Sequence, residues 1–142
     1  MGENKDRMLA GEWYLPDDEE LGADTRRRFE LCAAYNAYGG ADPAGRGAIL
    51  AELIGSLGKD VRIRPPFQCD YGRCITIGDR TFINYQAVFL DAAPITIGSD
   101  VQTGPGVQLL TPPTTWTRSA VARAGRRRPR SRSATTSGSA AA

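Results

Sequence analysis

Between Ile77 and Val107 the chain reads IGDRTFINYQAVFLDAAPITIGSDVQTGPGV, and every sixth residue is apolar: Ile77, Ile83, Phe89, Ile95, Val101 and Val107. A six-residue period is the mark of a solenoid whose short strands stack into a parallel β-helix. Unrelated strands of a sandwich would not require six consecutive hits at one spacing. Within this stretch Ile75-Thr76-Ile77-Gly78-Asp79 and Ile95-Thr96-Ile97-Gly98-Ser99-Asp100 are two copies of one unit, a short strand followed by a tight Gly-containing turn. Thr103-Gly104-Pro105-Gly106-Val107 supplies another corner. From Tyr85 to Ala93 the glycine phase breaks although Phe89 keeps the apolar period, which reads as an insertion looping out on one face.

Upstream of Val61 the texture is helical. Asp24 or Thr25 is placed to cap a helix through Phe29, Leu31, Cys32 and Tyr35 that ends at Gly39-Gly40. A second helix is expected from about Arg46 to Leu57, stopped by Gly58, because Ile49, Leu50, Leu53, Ile54 and Leu57 fall on one face. Two short helices bury little alone and are expected to pack on the solenoid or on a neighbouring subunit. Ahead of them, Glu12 to Asp18 forms a loop that mixes aromatic and acidic groups.

The apolar period stops at Leu110. Residues 112–142 carry seven Arg and no Lys, Asp or Glu, so this segment is +7 while residues 1–111 are −5. With no apolar face it is expected to be a disordered basic tail. No apolar run approaches 18 residues and no secretory cleavage pattern opens the chain, so no membrane role is indicated. Three cysteines, Cys32, Cys69 and Cys74, are too few for a disulfide scaffold and fit a reducing cytoplasm. Cys69 and Cys74 read as buried or half-buried thiols; without a histidine a zinc site is not expected. No Ser or Cys nucleophile with a paired base is visible, so a covalent acyl-enzyme is not indicated.

Met8-Leu9-Ala10-Gly11-Glu12-Trp13-Tyr14, Tyr35-Asn36, Cys69-Asp70-Tyr71-Gly72, Phe82-Ile83-Asn84-Tyr85 and Leu90-Asp91 resemble, in order and spacing, the maltose and galactoside O-acetyltransferases, which are hexapeptide-repeat acyltransferases. The resemblance runs from about Arg7 to Pro112. It implies a mainly β protein: an N-terminal helical segment over 6–58, a partial left-handed parallel β-helix over 59–112, and residues 113–142 outside both. It further implies a homotrimer with sites between subunits. The reaction would be acetyl transfer from acetyl-CoA, as co-substrate and without a metal, to a hydroxyl of maltose, glucose or a galactoside. Asn84 matches an Asn near the catalytic centre, and Asp91 an acidic group that contacts the sugar and helps place the base. Asp17, Asp70 and an Arg within Arg26–Arg28, taken as Arg26, match positions lining the acceptor pocket. Asn84 and Asp91 could instead simply serve turns, as Asn and Asp often do.

The departure from the family is large. Its general base is a histidine just after the strand matching Leu109-Leu110-Thr111, and this chain has no histidine at all. The later coils that build much of the acetyl-CoA groove are missing too. Shifting the codons by one base offers a reason. Trp116 must be TGG, and the shifted text over Pro113–Thr117 then permits His-x-Leu-Asp. Over Arg130–Ala142 it permits Val-x-Ile-Gly-Asp-Asp-Val-Trp-Ile-Gly-Gly-Gly, a typical hexapeptide coil. A one-base frameshift near Thr111–Pro113 is therefore expected, with little or no activity in the chain as written. The alternatives are a non-catalytic trimerising subunit, or a polyanion binder that holds nucleic acid nonspecifically through its basic tail.

Overall fold

The computed structural model describes residues 2–38 and 43–111. Three helices come first: α1 (Glu3–Leu9), α2 (Glu19–Ala37) and α3 (Pro43–Leu53). The chain then winds through three faces in rotation. β1 (Ser56–Leu57), β2 (Arg62–Ile63) and β3 (Phe67–Cys69) make one turn; β4 (Ile75–Ile77), β5 (Phe82–Ile83) and β6 (Ala87–Leu90) make the next. β7 (Ile95–Ile97) lies on β4 and β8 (Gln108–Leu110) on β6, giving three parallel sheets.

Each residue pairs with one 20 positions further on: Ser56 with Thr76, Arg62 with Phe82, Phe67 with Ala87, Ile75 with Ile95, Val88 with Gln108. Three hexapeptides would give about 18. Inward side chains advance by six from Ile75 to Thr81 to Ala87, then by eight to Ile95, so the two extra residues sit in the corner between Leu90 and Ile95. The expected loop from Tyr85 to Ala93 is thus mostly strand β6, and only its last corner is expanded. This also explains how the six-residue period survives. Ile77, Ile83 and Phe89 are second inward positions of their strands, whereas Ile95, Val101 and Val107 are first inward positions of the next turn. Parallel stacking makes like side chains meet: Ile75 on Ile95, Ile77 on Ile97, Ile63 on Ile83, and the Phe67 and Phe89 rings edge-to-face at 5.3 Å. Each buried Ile or Phe stabilises by about 1.5–3 kcal/mol.

Successive turns approach closely at the corners. A Cβ on Gly78 would lie 2.5 Å from Ser99 N, so no larger residue fits. Asp60, Arg80 and Asp100 stack at the next step with φ of 56°, 55° and 58°. The left-handed region costs an L-residue about 1–2 kcal/mol. Here the corners are secured by Arg80 N donating to Lys59 O at 2.7 Å and by the Arg80 guanidinium forking onto Asp100 at 2.7 and 2.8 Å.

The helices differ from the sequence reading in extent. α2 starts five residues before Asp24, because Asp18 caps it by accepting from Glu20 N and Leu21 N. Asn4 Nδ2 is the main hydrogen bond holding the Asp18 carboxyl below its usual range, with the two amides adding to it. α3 stops at Leu53; Ser56–Leu57 has left the helix for β1, and Gly58 turns the first corner rather than ending a helix. The strand wins because Gly58 N finds Ile77 O at 2.7 Å in the ladder. α1, unforeseen in the sequence, rests on α2 through Met8 and Leu21 and through Lys5, which bridges Asp24 at 2.6 Å and Glu20 at 3.3 Å. The expected helix end at Gly39-Gly40 and everything read from residues 112–142 lie outside the described residues.

α2 and α3 close the first turn of the solenoid. Asn36 behaves as a strand: its Nδ2 donates to Phe67 O at 2.9 Å and its Oδ1 accepts from Phe67 N at 2.8 Å. Tyr35 Oη donates to Ile63 O, and burial pushes that phenol up to about 12. Buried Cys32 on α2 meets buried Cys69 on β3 at 3.7 Å, both as free thiols; the shared hydrogen bond and burial push Cys69 upward. Asn36→Ala is expected to cost about 1–3 kcal/mol of unfolding free energy in urea titrations, because it strands both polar groups of Phe67 at the edge of β3; an unchanged midpoint would show that water takes over the edge.

Candidate functional site

Two corners and one loop carry the residues singled out in the sequence. The corner after β3, Asp70 to Cys74, lies under the expanded corner after β6. There Asp91 is fully buried. Its Oδ1 accepts from Asp70 N at 3.0 Å and Tyr71 N at 2.9 Å, and its Oδ2 from Cys74 N at 3.2 Å. The carboxylate thus gathers three amides of the turn below it, a nest that favours negative charge. Every one of these contacts serves the corner, which is the turn-forming alternative weighed for this residue. One turn further, Thr111 stands in the same column and accepts from Ala93 N at 3.1 Å.

Asp70 is half-buried and follows β3 directly. Burial raises its carboxyl above the usual range, the Asp91 charge adds to this, and the Arg28 guanidinium opposes it. Arg28 reaches the corner from α2 and donates Nε–H to Asp70 O at 3.0 Å. Of the run Arg26–Arg28, then, Arg28 is the residue beside Asp70, while Arg26 is exposed further along the helix. Helical spacing explains the difference, since residues two apart point to different sides. Above the same corner sit two tyrosines that the sequence reading quoted within its motifs but gave no role. Tyr14, buried in the N-terminal loop, shares a side-chain hydrogen bond with Tyr71, and burial is the main cause raising both phenols. Cys74 is half-buried beside them, and burial pushes its thiol up to about 11. Asp17 is exposed, one residue before the cap of α2.

Asn84 belongs to the other corner, between β5 and β6. Its N–H donates to Thr103 Oγ1 at 3.2 Å and its Oδ1 accepts from Tyr85 N at 2.9 Å. Beneath it lies Arg64, whose N–H donates to Ile83 O at 2.9 Å and whose guanidinium stands 5.3 Å from the Phe82 ring centre and 4.8 Å from that of Tyr85. The fold therefore brings Asp70, Asp91, Tyr14, Tyr71 and Arg28 together. No hydrogen bond or ion pair among the described residues links Asn84, Asp17 or Arg26 to that group. Among the described residues no set of three His, Cys, Asp or Glu could hold a metal, and no helix is long and apolar enough to cross a membrane. The arrangement offers a half-buried carboxyl of raised pKa with tyrosine hydroxyls and a guanidinium nearby, suited to holding a polyhydroxylated ligand.

Asp91→Ala is expected to lower unfolding free energy by on the order of 3 kcal/mol in urea, since three amides lose their acceptor. Unchanged stability would remove the corner-holding role. Asp70 acts in the opposite sense. Its folded-state pKa is raised, so the folded chain binds that proton more tightly than the unfolded chain, and the ionised form costs stability above the folded pKa. Asp70→Asn should therefore raise Tm at pH 7 and give no gain near pH 3 (about the point where Asp70 is protonated in both states), as differential scanning calorimetry would show.

Residues 7–58 match the maltose acetyltransferase hexapeptide capping motif. The chain is 41% identical over 107 residues to nodulation protein L of Rhizobium leguminosarum bv. viciae, covering 75% of this chain and 56% of that protein. A hexapeptide-repeat acetyltransferase from Vibrio cholerae, solved with acetyl coenzyme A, superposes with a TM-score of 0.70 at 40% identity, covering 75% of this chain and 57% of that one. A maltose O-acetyltransferase from Clostridium difficile 630 gives a TM-score of 0.72 at 35% identity over 74% of this chain and 56% of that one. The chain thus spans a little over half the length of the relatives it matches. The capping helices and the coils stacked on them are the parts that match, and by them the chain is similar to the hexapeptide-repeat acetyltransferases that carry the maltose acetyltransferase capping motif.

Proposed function

We propose that this chain is of sugar O-acetyltransferase lineage, built to transfer the acetyl group of acetyl-CoA to a hydroxyl of maltose, glucose or a galactoside. The observation that supports this most is the capped solenoid, which superposes on an acetyltransferase solved with acetyl coenzyme A. In this reading the solenoid is left-handed, the assembly is a cytoplasmic homotrimer, and Asp70, Asn84, Asp17 and an Arg of the run 26–28 line the acceptor pocket. Asp91 acts by holding the corner that presents Asp70 and Tyr71. The acceptor hydroxyl oxygen attacks the thioester carbonyl carbon. A C–O bond forms, the C–S bond breaks, and CoA leaves as its thiol once the hydroxyl proton has been handed over.

A positioned base contributes about 10²–10⁴-fold to such a step. This chain has no histidine to supply it. Asp70 is the carboxyl left beside the pocket, and a carboxylate is a weaker base than imidazole at neutral pH. The chain as written is therefore a poor catalyst, and a one-base frameshift near Thr111–Pro113 accounts for the missing histidine. The seven arginines in residues 112–142 support a second reading, nonspecific polyanion binding that weakens steeply with salt.

Thiol release from acetyl-CoA with maltose as acceptor is expected to run at least about a hundredfold below an intact maltose O-acetyltransferase; a comparable rate would overturn the loss of catalysis. A fresh nucleotide read across the codons for Val107 to Ala142 should show the displaced base. A confirmed unshifted reading would remove the frameshift and leave the inactive chain as the encoded one.

A further inference from the structure

Away from the Asp70 corner, Arg46, Arg62 and Arg64 share a cleft of about 510 Å³ between the start of α3 and the face carrying β2 and β5. Tyr35, Leu50 and Phe82 supply much of the rest of its lining, and none of the described residues lining it is a carboxylate. None of the three arginines has an ion-pair partner among the described residues, where the acidic groups pair instead with Lys5, Arg7 and Arg80. Asp60 and Arg80 line a neighbouring depression with Arg62, but Arg80 is already taken by Asp100.

Solvated arginines on an open surface would be mobile and individually satisfied by water. Two of these are held in place, although Arg64 is exposed. Arg46 is fixed by Nη2 donating to Tyr38 O at 2.9 Å, and its Nε is buried with no hydrogen-bond partner among the described residues. Arg64 is held over the Phe82 and Tyr85 rings, so its planar fork is oriented before any ligand arrives. Three like charges facing one concavity repel each other and focus a positive potential inside it.

We infer that this cleft binds a phosphate-class oxyanion, free or as the ester of a larger molecule. Forked guanidinium donors match the oxygens of phosphate, and the apolar floor gives room for the body of an ester. The site needs neither acetyl-CoA nor a catalytic base, so it stands whether or not acetyl transfer does.

The arginines of residues 112–142 also attract anions, so the test compares variants within the full 142-residue chain. Inorganic phosphate is titrated by calorimetry at constant ionic strength balanced with chloride. One saturable site is expected, weakened at least about tenfold in the R62Q/R64Q double variant while its circular dichroism is retained. Should the double variant fail to fold, Arg62→Gln alone, on an exposed strand position, is expected to weaken binding by several-fold. Glucose 6-phosphate distinguishes the two sources: equal affinity points to the free ion, tighter binding to an ester. Binding that never saturates, or that is equally strong in the variants, would overturn the site and assign the effect to the basic residues beyond 111.

Discussion

A parallel strand ladder leaves backbone N–H and C=O groups open at each end, and a buried group without a partner costs about as much as a lost hydrogen bond. Everything in this fold rests on how the first turn of the solenoid meets that demand. Asn36 faces Phe67 as a further strand would, Tyr35 reaches Ile63 O, and Arg28 reaches Asp70 O, all from one helix. α2 therefore has to lie along the bottom of the stack in one position. That position sets where Tyr14 and Arg28 stand relative to the first expanded corner.

The two carboxylates at that corner divide the work. Asp91 is satisfied by three amides and gains its place from burial, whereas Asp70 is disfavoured in its ionised form by the same burial and by Asp91 itself. An unfavourable charge kept next to tyrosine hydroxyls is a cost in stability of the kind that marks a candidate ligand site. The two extra residues per turn make this possible. A corner of ordinary hexapeptide length has no slack to wrap around a buried carboxylate, and the expansion recurs where Cys69 leads to Ile75 and where Phe89 leads to Ile95.

The likeness to acetyltransferases and the supply of a catalytic base are separate matters here. The capping segment and the first turns carry the likeness to nodulation protein L. A base for the hydroxyl is a different matter, since imidazole chemistry needs a histidine and the chain contains none. A capped solenoid can keep its stacking energy without that group, because the apolar columns under β4, β5 and β6 do not depend on it.

Much of this was legible before any coordinates. Apolar residues at a constant spacing of six can only be buried together if the chain winds in flat-sided turns, so Ile77, Ile83 and Phe89 declared the solenoid directly. Local signals misled where a ladder competed with a helix: Leu57 fits a helical face, yet its backbone is taken by β4. The roles at the candidate site were less readable, for a physical reason. Asp91 and Asp70 are the same residue type 21 positions apart, and nothing local distinguishes a carboxylate that folds into a nest of amides from one left half-open to solvent. Arg28 rather than Arg26, Arg64 over two aromatic rings, and Tyr14 against Tyr71 follow from which side chains the 20-residue register and the pitch of α2 bring face to face. Periodicity along the chain settles which positions are buried; which buried positions meet depends on long-range stacking that no local stretch encodes.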